Sequence, residues 1–256
     1  MRKTHSFAII GGDARFTKLS EALERDGHTL SAIDTAENVI LPLPFDWDDQ
    51  IMRVLKPSQR IFAGRVSALD AERARANGLH IRDYFAREEL AVLNAVATVE
   101  GAVEIAMRET AVTIWRSESL VIGFGRLGKL LAHRLRALGA RVVVSARSYS
   151  DKAWIAAYGY EAADSSDLNT GLAAFDLIFN TVPADVLGRE QLAGINLNCL
   201  CIDLASKPGG IDINTAGELG IRAIWALSLP GRVAPVTSSE IIKDTIYHML
   251  EEEMKI

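Results

Sequence analysis

The stretch from Leu120 to Ser148, LVIGFGRLGKLLAHRLRALGARVVVSARS, constrains the fold of this chain more than any other part of it. Three apolar residues, Leu120, Val121 and Ile122, lead into Gly123-Phe124-Gly125-Arg126-Leu127-Gly128. A segment of helical period follows, and Arg141 to Ala146 reads as a second strand. Strand, glycine turn, helix and strand make the βαβ frame in which a GxGxxG sequence binds a dinucleotide. In that frame Gly123 permits the tight turn, Gly125 lets backbone approach a pyrophosphate, and Gly128 lets the helix pack on the strand. The helix N-terminus adds amide donors and the positive end of its dipole. Glycines at this spacing also occur in purely structural turns, and the flanking strands favour the nucleotide reading.

The second strand bears on which nucleotide. An NAD site carries Asp or Glu about 20 residues past the first glycine, on the ribose hydroxyls. Here that place reads Ser145-Ala146-Arg147-Ser148, without an acid. An arginine between hydroxyls suits a 2′-phosphate, so the expected cofactor is NADP, held by Ser145, Arg147 and Ser148. The plainer alternative is a solvated arginine at a strand end.

With 256 residues, 49% of them hydrophobic, the chain can bury two cores of domain size. Twenty-eight Lys and Arg against 33 Asp and Glu give a net charge of −5 with no basic block, which argues against nucleic acid as a partner. The apolar runs read as broken too early to span a bilayer, and Asp13 and Arg15 interrupt the first of them before a signal-peptide core can form. A soluble cytoplasmic protein with no membrane partner is expected. Cys199 and Cys201 alternate onto one face of a strand, which reads as two buried, reduced thiols. No third Cys and no His lies nearby, so no metal is expected.

Along the chain, short strands at Phe7–Ile10, Thr29–Ile33, Asn38–Leu41, Arg60–Ala63 and His80–Asp83 are separated by helical segments. Residues Arg87–Thr110 form a long helical pattern of about 35 Å. The expected fold is α/β with two domains and a cleft between them. An N-terminal Rossmann-like or flavodoxin-like domain with a bridging helix spans residues 1–112, and a Rossmann domain spans 113–228. A C-terminal helix at 229–256 returns its stripe of Ile241, Ile242, Ile246, Met249 and Leu250 to the first domain. Two shorter helices split near Gly101 are the alternative for the long pattern.

Ligands of open parallel sheets lie beyond the carboxyl ends of the strands. Four segments there are candidates: GGDAR (11–15), NTVPA (180–184), SKPGG (206–210) and LPGRVAP (229–235). Asn180 and Thr181 can hydrogen-bond a nicotinamide ribose, while Val182 and Pro183 can pack on its ring. Lys207 can bind a carboxylate or move a proton. Caps among Thr237, Ser238 and Ser239 leave amides for an anion, although capping needs no ligand. None of the five histidines falls in these loops.

Taken together, IIGGDAR, GFGRLGKLLAHRLRALGARVVVSARS, NTVPA, IDLASKPGG and LPGRVAPVTSSEII resemble the A-subunit family of dipicolinate synthase from endospore-forming bacteria. IDLASKPGG followed by LPGRVAP is the specific part, and the resemblance runs over nearly the whole chain. Leu127 and Lys129 differ from the small or apolar residues expected within the fingerprint. The resemblance implies an oxidoreductase that forms dipicolinate from a dihydrodipicolinate-related intermediate with NADP, in sporulation, beside the flavoprotein-like B subunit of dipicolinate synthase. A homo-oligomer is also expected. Phe124, Arg126, Leu127 and Asp203 join the cofactor set, and Arg15, Lys207, Arg232, Thr237 and Ser238 the substrate set. The proton acceptor stays open among Asp13, Lys207 and water. Two alternatives to this function are a catalytically silent NADP-binding scaffold for the B subunit and a shikimate-dehydrogenase-like or hydroxy-acid reductase.

Overall fold

The computed structural model describes residues 4–253 and divides into two compact units, one made of Met1–Asn94 with Pro230–Ile256 and the other of Ala95–Leu229. The first part of the chain runs β1 (Ser6–Ile9), α1 (Ala14–Arg25), β2 (Thr29–Leu30), β3 (Asn38–Ile40), α2 (Asp49–Val54), β4 (Arg60–Ala63), α3 (Ala68–Ala76) and β5 (Ile81–Asp83). Its strands pair in parallel in the order β2-β1-β3-β4-β5, the flavodoxin-like arrangement. Alternation sends Phe7, Ile40 and Phe62 to one covered face and Ala8, Val39, Ile61 and Ala63 to the other. β3 stops at Ile40, just before Pro42 and Pro44. α2 escapes sequence reasoning because six residues show no period; the Asp48 carboxylate caps it by accepting from the amides of Gln50 and Ile51.

A 3-10 turn (Tyr84–Ala86) leads into α4 (Glu88–Glu109), a single helix with Gly101 buried inside it. The boundary between units falls within α4, at Asn94/Ala95, rather than after residue 112. The reason is packing: Val99, Ala102, Ile105 and Ala106 sit in the core of the second unit. α4 also corrects the expectation about apolar runs. By length and composition it is apolar enough to cross a membrane, and half of its most apolar window is buried inside the protein.

The second unit continues with β6 (Glu118–Ile122), α5 (Arg126–Ala137), β7 (Arg141–Ala146), α6 (Tyr149–Ala157), β8 (Glu161–Asp164), β9 (Leu177–Asn180), α7 (Arg189–Ala193), β10 (Leu200–Asp203), α8 (Ile213–Glu218) and β11 (Arg222–Trp225). The sheet is parallel throughout, in the order β11-β10-β9-β6-β7-β8. The chain runs outward from β6 in one direction and then, from β9, in the other. Ile122 therefore stands between Ser145 and Asn180 at a topological switch point. Cys199 and Cys201 are free and buried in one cluster on a single face of this sheet.

A short helix α9 (Leu229–Val233) and the long α10 (Pro235–Glu253) follow. α10 packs on α1, burying Ile241, Ile242, Ile246, Tyr247 and Leu250 with Phe16, Leu19 and Leu23. Inside this contact Lys243 Nζ lies 2.8 Å from Asp26 and 2.6 Å from Glu240, and the Tyr247 hydroxyl donates to Asp26 at 3.1 Å. Burial opposes the charge on Lys243, but the two carboxylates outweigh it and raise the pKa of the amine. Hydrogen bonding from Lys243 in turn lowers the pKa of both Asp26 and Glu240.

Candidate functional site

At the end of β6 the chain turns through Gly123, with φ at +99°, into α5. A Cβ on Gly123 would stand 2.5 Å from Thr181 Oγ1, and one on Gly128 would stand 2.1 Å from the Gly123 carbonyl oxygen. The turn and the first helical turn are thus pressed against each other and against the loop after β9. Gly125 is the opposite case: it is exposed, and a Cβ there would meet nothing within 4 Å. It is also the N-cap of α5 and provides no side-chain cap. The first amides of α5 are left to an anion on that open side, so the cradle fits a dinucleotide pyrophosphate. Phe124 is buried, 6.2 Å from the Tyr158 ring and 5.1 Å from Lys129 Nζ, and Leu127 packs against the core. Phe124 and Leu127 therefore shape the loop with their side chains turned inward, while Arg126 is exposed.

Beyond β7 the expected phosphate-binding residues separate. The Ser145 side chain is fully buried inside the unit, and its hydroxyl has no hydrogen-bond partner among the described residues, which corrects the expectation that it faces the cofactor. Ser148 caps α6, accepting from the Asp151 amide and donating to the Asp151 carboxylate. Arg147 is exposed and makes no ion pair or hydrogen bond among the described residues.

The loops after β9 and β10 are interlocked. Asn180 Nδ2 donates to the Val182 carbonyl at 2.9 Å and to Asp203 Oδ1 at 2.8 Å, while its Oδ1 accepts from the Val182 amide. Asp203, only 1% exposed, also accepts from the amides of Ala205, Gly210 and Ile211. Both side chains are spent on the loops, which corrects the expectation that Asn180 and Asp203 contact the cofactor directly. Thr181 likewise donates to the Ile122 carbonyl at 2.8 Å. Val182 is half-buried, and Pro183 and Lys207 are exposed. Gly210, within the expected SKPGG loop, takes a tighter role than expected, and Trp225 was not singled out from the sequence. Gly210 has room for no side chain, since a Cβ would lie 2.4 Å from Asn180 Nδ2. The Trp225 indole donates to the Ala205 carbonyl at 2.9 Å.

The first unit has its own switch point between β1 and β3. There Asp13 caps α1, so Ala14 and Arg15 belong to the helix and not to a turn. Arg15 pairs with Asp13 through Nε at 3.0 Å and through Nη2, which also donates to the Leu43 carbonyl. Burial would raise the pKa of Asp13, but the Arg15 pairing overcomes it and holds the carboxyl below its ordinary range. That makes Asp13 a poor proton acceptor. Arg232 is exposed on α9. α10 already begins at Pro235, so Thr237 to Ser239 lie inside the helix and are not caps. The Ser238 amide donates to Ala234 and its hydroxyl to Pro230, both beneath the surface, which corrects its expected anion role; Thr237 stays exposed.

Residues 95–202 match the family model of the D-isomer specific 2-hydroxyacid dehydrogenase, NAD binding domain, which covers the cradle and both flanking strands. Over 168 residues, 66% of this chain, the sequence is 37% identical to the dipicolinate synthase A subunit of Bacillus subtilis. The chain is thus similar to dipicolinate synthase A subunits in sequence over most of its length. The aligned segment spans 57% of that relative's length. Crystal structures of the A subunits from Bacillus halodurans and Bacillus subtilis each superpose with a TM-score of 0.87 at 28% identity. They cover 96% and 98% of this chain, and 97% of each of theirs. The two parallel-sheet domains match those of the A-subunit structures, and the second is a nicotinamide-dinucleotide-binding domain of the Rossmann type.

Proposed function

We propose that this chain is an NADP-dependent oxidoreductase that forms dipicolinate from a dihydrodipicolinate-related intermediate, working with the flavoprotein-like B subunit of dipicolinate synthase. The observation that carries the reading is the open glycine cradle, with its uncapped helix, beside an unengaged Arg147 and a strand-end loop bearing Lys207. In the reaction a ring C–H bond of the dihydropyridine breaks. Its electron pair leaves with the hydrogen as hydride, a proton is lost, and the ring becomes aromatic. NADP, when bound, supplies the two-electron acceptor and becomes NADPH. Aromatisation provides intrinsic drive, so the protein's work is to place the substrate and neutralise two carboxylates. Lys207, exposed on the loop after β10, is assigned to a substrate carboxylate. With Asp13 held ionised by Arg15, the proton leaves to solvent.

Arg147→Ala is expected to weaken NADPH by about 1–3 kcal/mol, the worth of a charged hydrogen bond, or roughly 5- to 150-fold, and to leave NADH nearly unchanged. Titration of both dinucleotides checks this, and tighter binding of NADH than NADPH by the unaltered protein would overturn the NADP assignment. The alternative of a silent scaffold for the B subunit is favoured by one observation, the engagement of Asp13 with Arg15. Dipicolinate and NADPH absorbance, followed with the chain alone and with the B subunit, separates the two. Oxidation of shikimate or a hydroxy acid in place of the dihydropyridine would point to a different substrate. A cytoplasmic setting and a role in sporulation go with this reading, and the two buried free thiols support the former.

A further inference from the structure

The loop after β10 leaves the sheet at Leu204, carries Ser206 and Lys207 outward, and returns at Gly210 and Ile211. Both ends converge on one carboxylate. Asp203 Oδ1 accepts from Ala205 N at 3.0 Å on the way out, and Oδ2 accepts from Gly210 N at 2.7 Å and Ile211 N at 3.1 Å on the way back. The same Oδ1 receives Asn180 Nδ2, which joins this loop to the one after β9. On the far side the Gly210 carbonyl accepts from Val186 and Leu187, so the returning end is held from both directions.

We infer that Asp203 is a positioning residue that fixes where Lys207 stands relative to the Val182–Pro183 loop, and that it acts through Lys207 without touching substrate or cofactor. This rests on the reading of the second unit as a dinucleotide-dependent oxidoreductase. A carboxylate is required for a geometric reason. Four N–H donors converge on two oxygens, and an amide offers one oxygen and one NH2 group. Whichever way an asparagine turned, its NH2 would face at least two of those donors. Asn180 cannot relieve the conflict by flipping, because its own oxygen and nitrogen are committed to the Val182 amide and carbonyl. A buried carboxylate whose lone pairs are filled by amides of its own loop anchors that loop at two points, and the exposed segment between them inherits the position.

The built-in reporter is Trp225, whose indole donates to the Ala205 carbonyl and whose ring would lie 3.2 Å from a Cβ on Gly209. The test uses the full chain with Asp203→Asn, Lys207→Ala and the double variant, with the B subunit present in every turnover assay. In Asp203→Asn, the Trp225 indole N–H resonance is expected to shift or broaden while those of Trp47, Trp115 and Trp154 hold. NADPH affinity should be little changed. kcat/KM for the dihydropyridine dicarboxylate should fall, up to about 100-fold for a displaced binding group. In the Lys207→Ala background the same substitution should cost almost nothing further. An unmoved Trp225 resonance, or an equal extra loss without Lys207, would overturn the inference. Failure of the unaltered protein to turn over the dihydropyridine would instead count against the function, and the Trp225 resonance would still decide the anchoring by moving or not. If Asp203→Asn fails to fold, Asn180→Ala, which removes one donor from the same carboxylate, is read by the same resonance and the same cycle.

Discussion

Lys243→Met is expected to lower the unfolding free energy by about 2–3 kcal/mol. Removing one partner of a fully buried ion pair costs about 3–5 kcal/mol because the other charge is stranded. Here the amine is 7% exposed but Asp26 and Glu240 are 26% and 32% exposed, so water relieves part of that cost. Arg25 also pairs with Glu240 and keeps some compensation for it. Methionine retains most of the volume, which separates the charge from a simple cavity. The pH dependence has a definite sign. The carboxylate contributions are fully present above the ordinary range of Asp and Glu and vanish as pH falls through the lowered folded values. The lysine contribution is present below its ordinary range and is lost as pH rises through the raised folded value. Denaturant melts of both proteins from acid to alkaline pH should show a gap that is constant near neutrality and closes at both ends. Equal stability at neutral pH would refute the account.

Gly128→Ala is expected to abolish measurable dinucleotide binding and to destabilise the fold by about 1–3 kcal/mol, the usual range for forcing one extra carbon into a packed contact. The added Cβ would fall 2.1 Å from the Gly123 carbonyl oxygen, a backbone atom that no side-chain rotation can move aside. Either α5 must lift from β6 or the glycine turn must unwind, and both destroy the cradle. Gly125→Ala is the matched control. Its Cβ meets no protein atom, so stability should hold while dinucleotide affinity falls through contact with the ligand alone. A Gly128→Ala protein that binds NADPH normally would show that the helix is not seated as described.

Sequence alone carried the parallel sheets, the glycine cradle and most strand positions, because hydrophobic runs between glycine and proline signals have few other readings. β4 and β7 agree with expectation to the residue. The misses share a cause: they depend on what a side chain meets across space. Asn180, Asp203 and Ser145 occupy strand ends, where ligand contact and loop anchoring look alike in one dimension, and only burial separates them. Asp13 and Arg15 resemble a free acid and a free base until helix capping brings them together. β8, with the sequence EAAD and mostly exposed, has no apolar run to announce it. Tyr84, fully buried beside Gly64 and Leu43 with a hydroxyl unpartnered among the described residues, carries no local signal in the sequence at all.

The split of the first unit across the chain sets an order of events during synthesis. Residues 95–229 are contiguous and can condense as soon as they clear the ribosome, whereas the first unit waits for Pro230 onward. Until then the face of α1 formed by Phe16, Leu19 and Leu23 has no α10 to cover it. The first third or so of the nascent chain is thus an unfinished client, open to chaperones and proteases for the time it takes to translate the other unit.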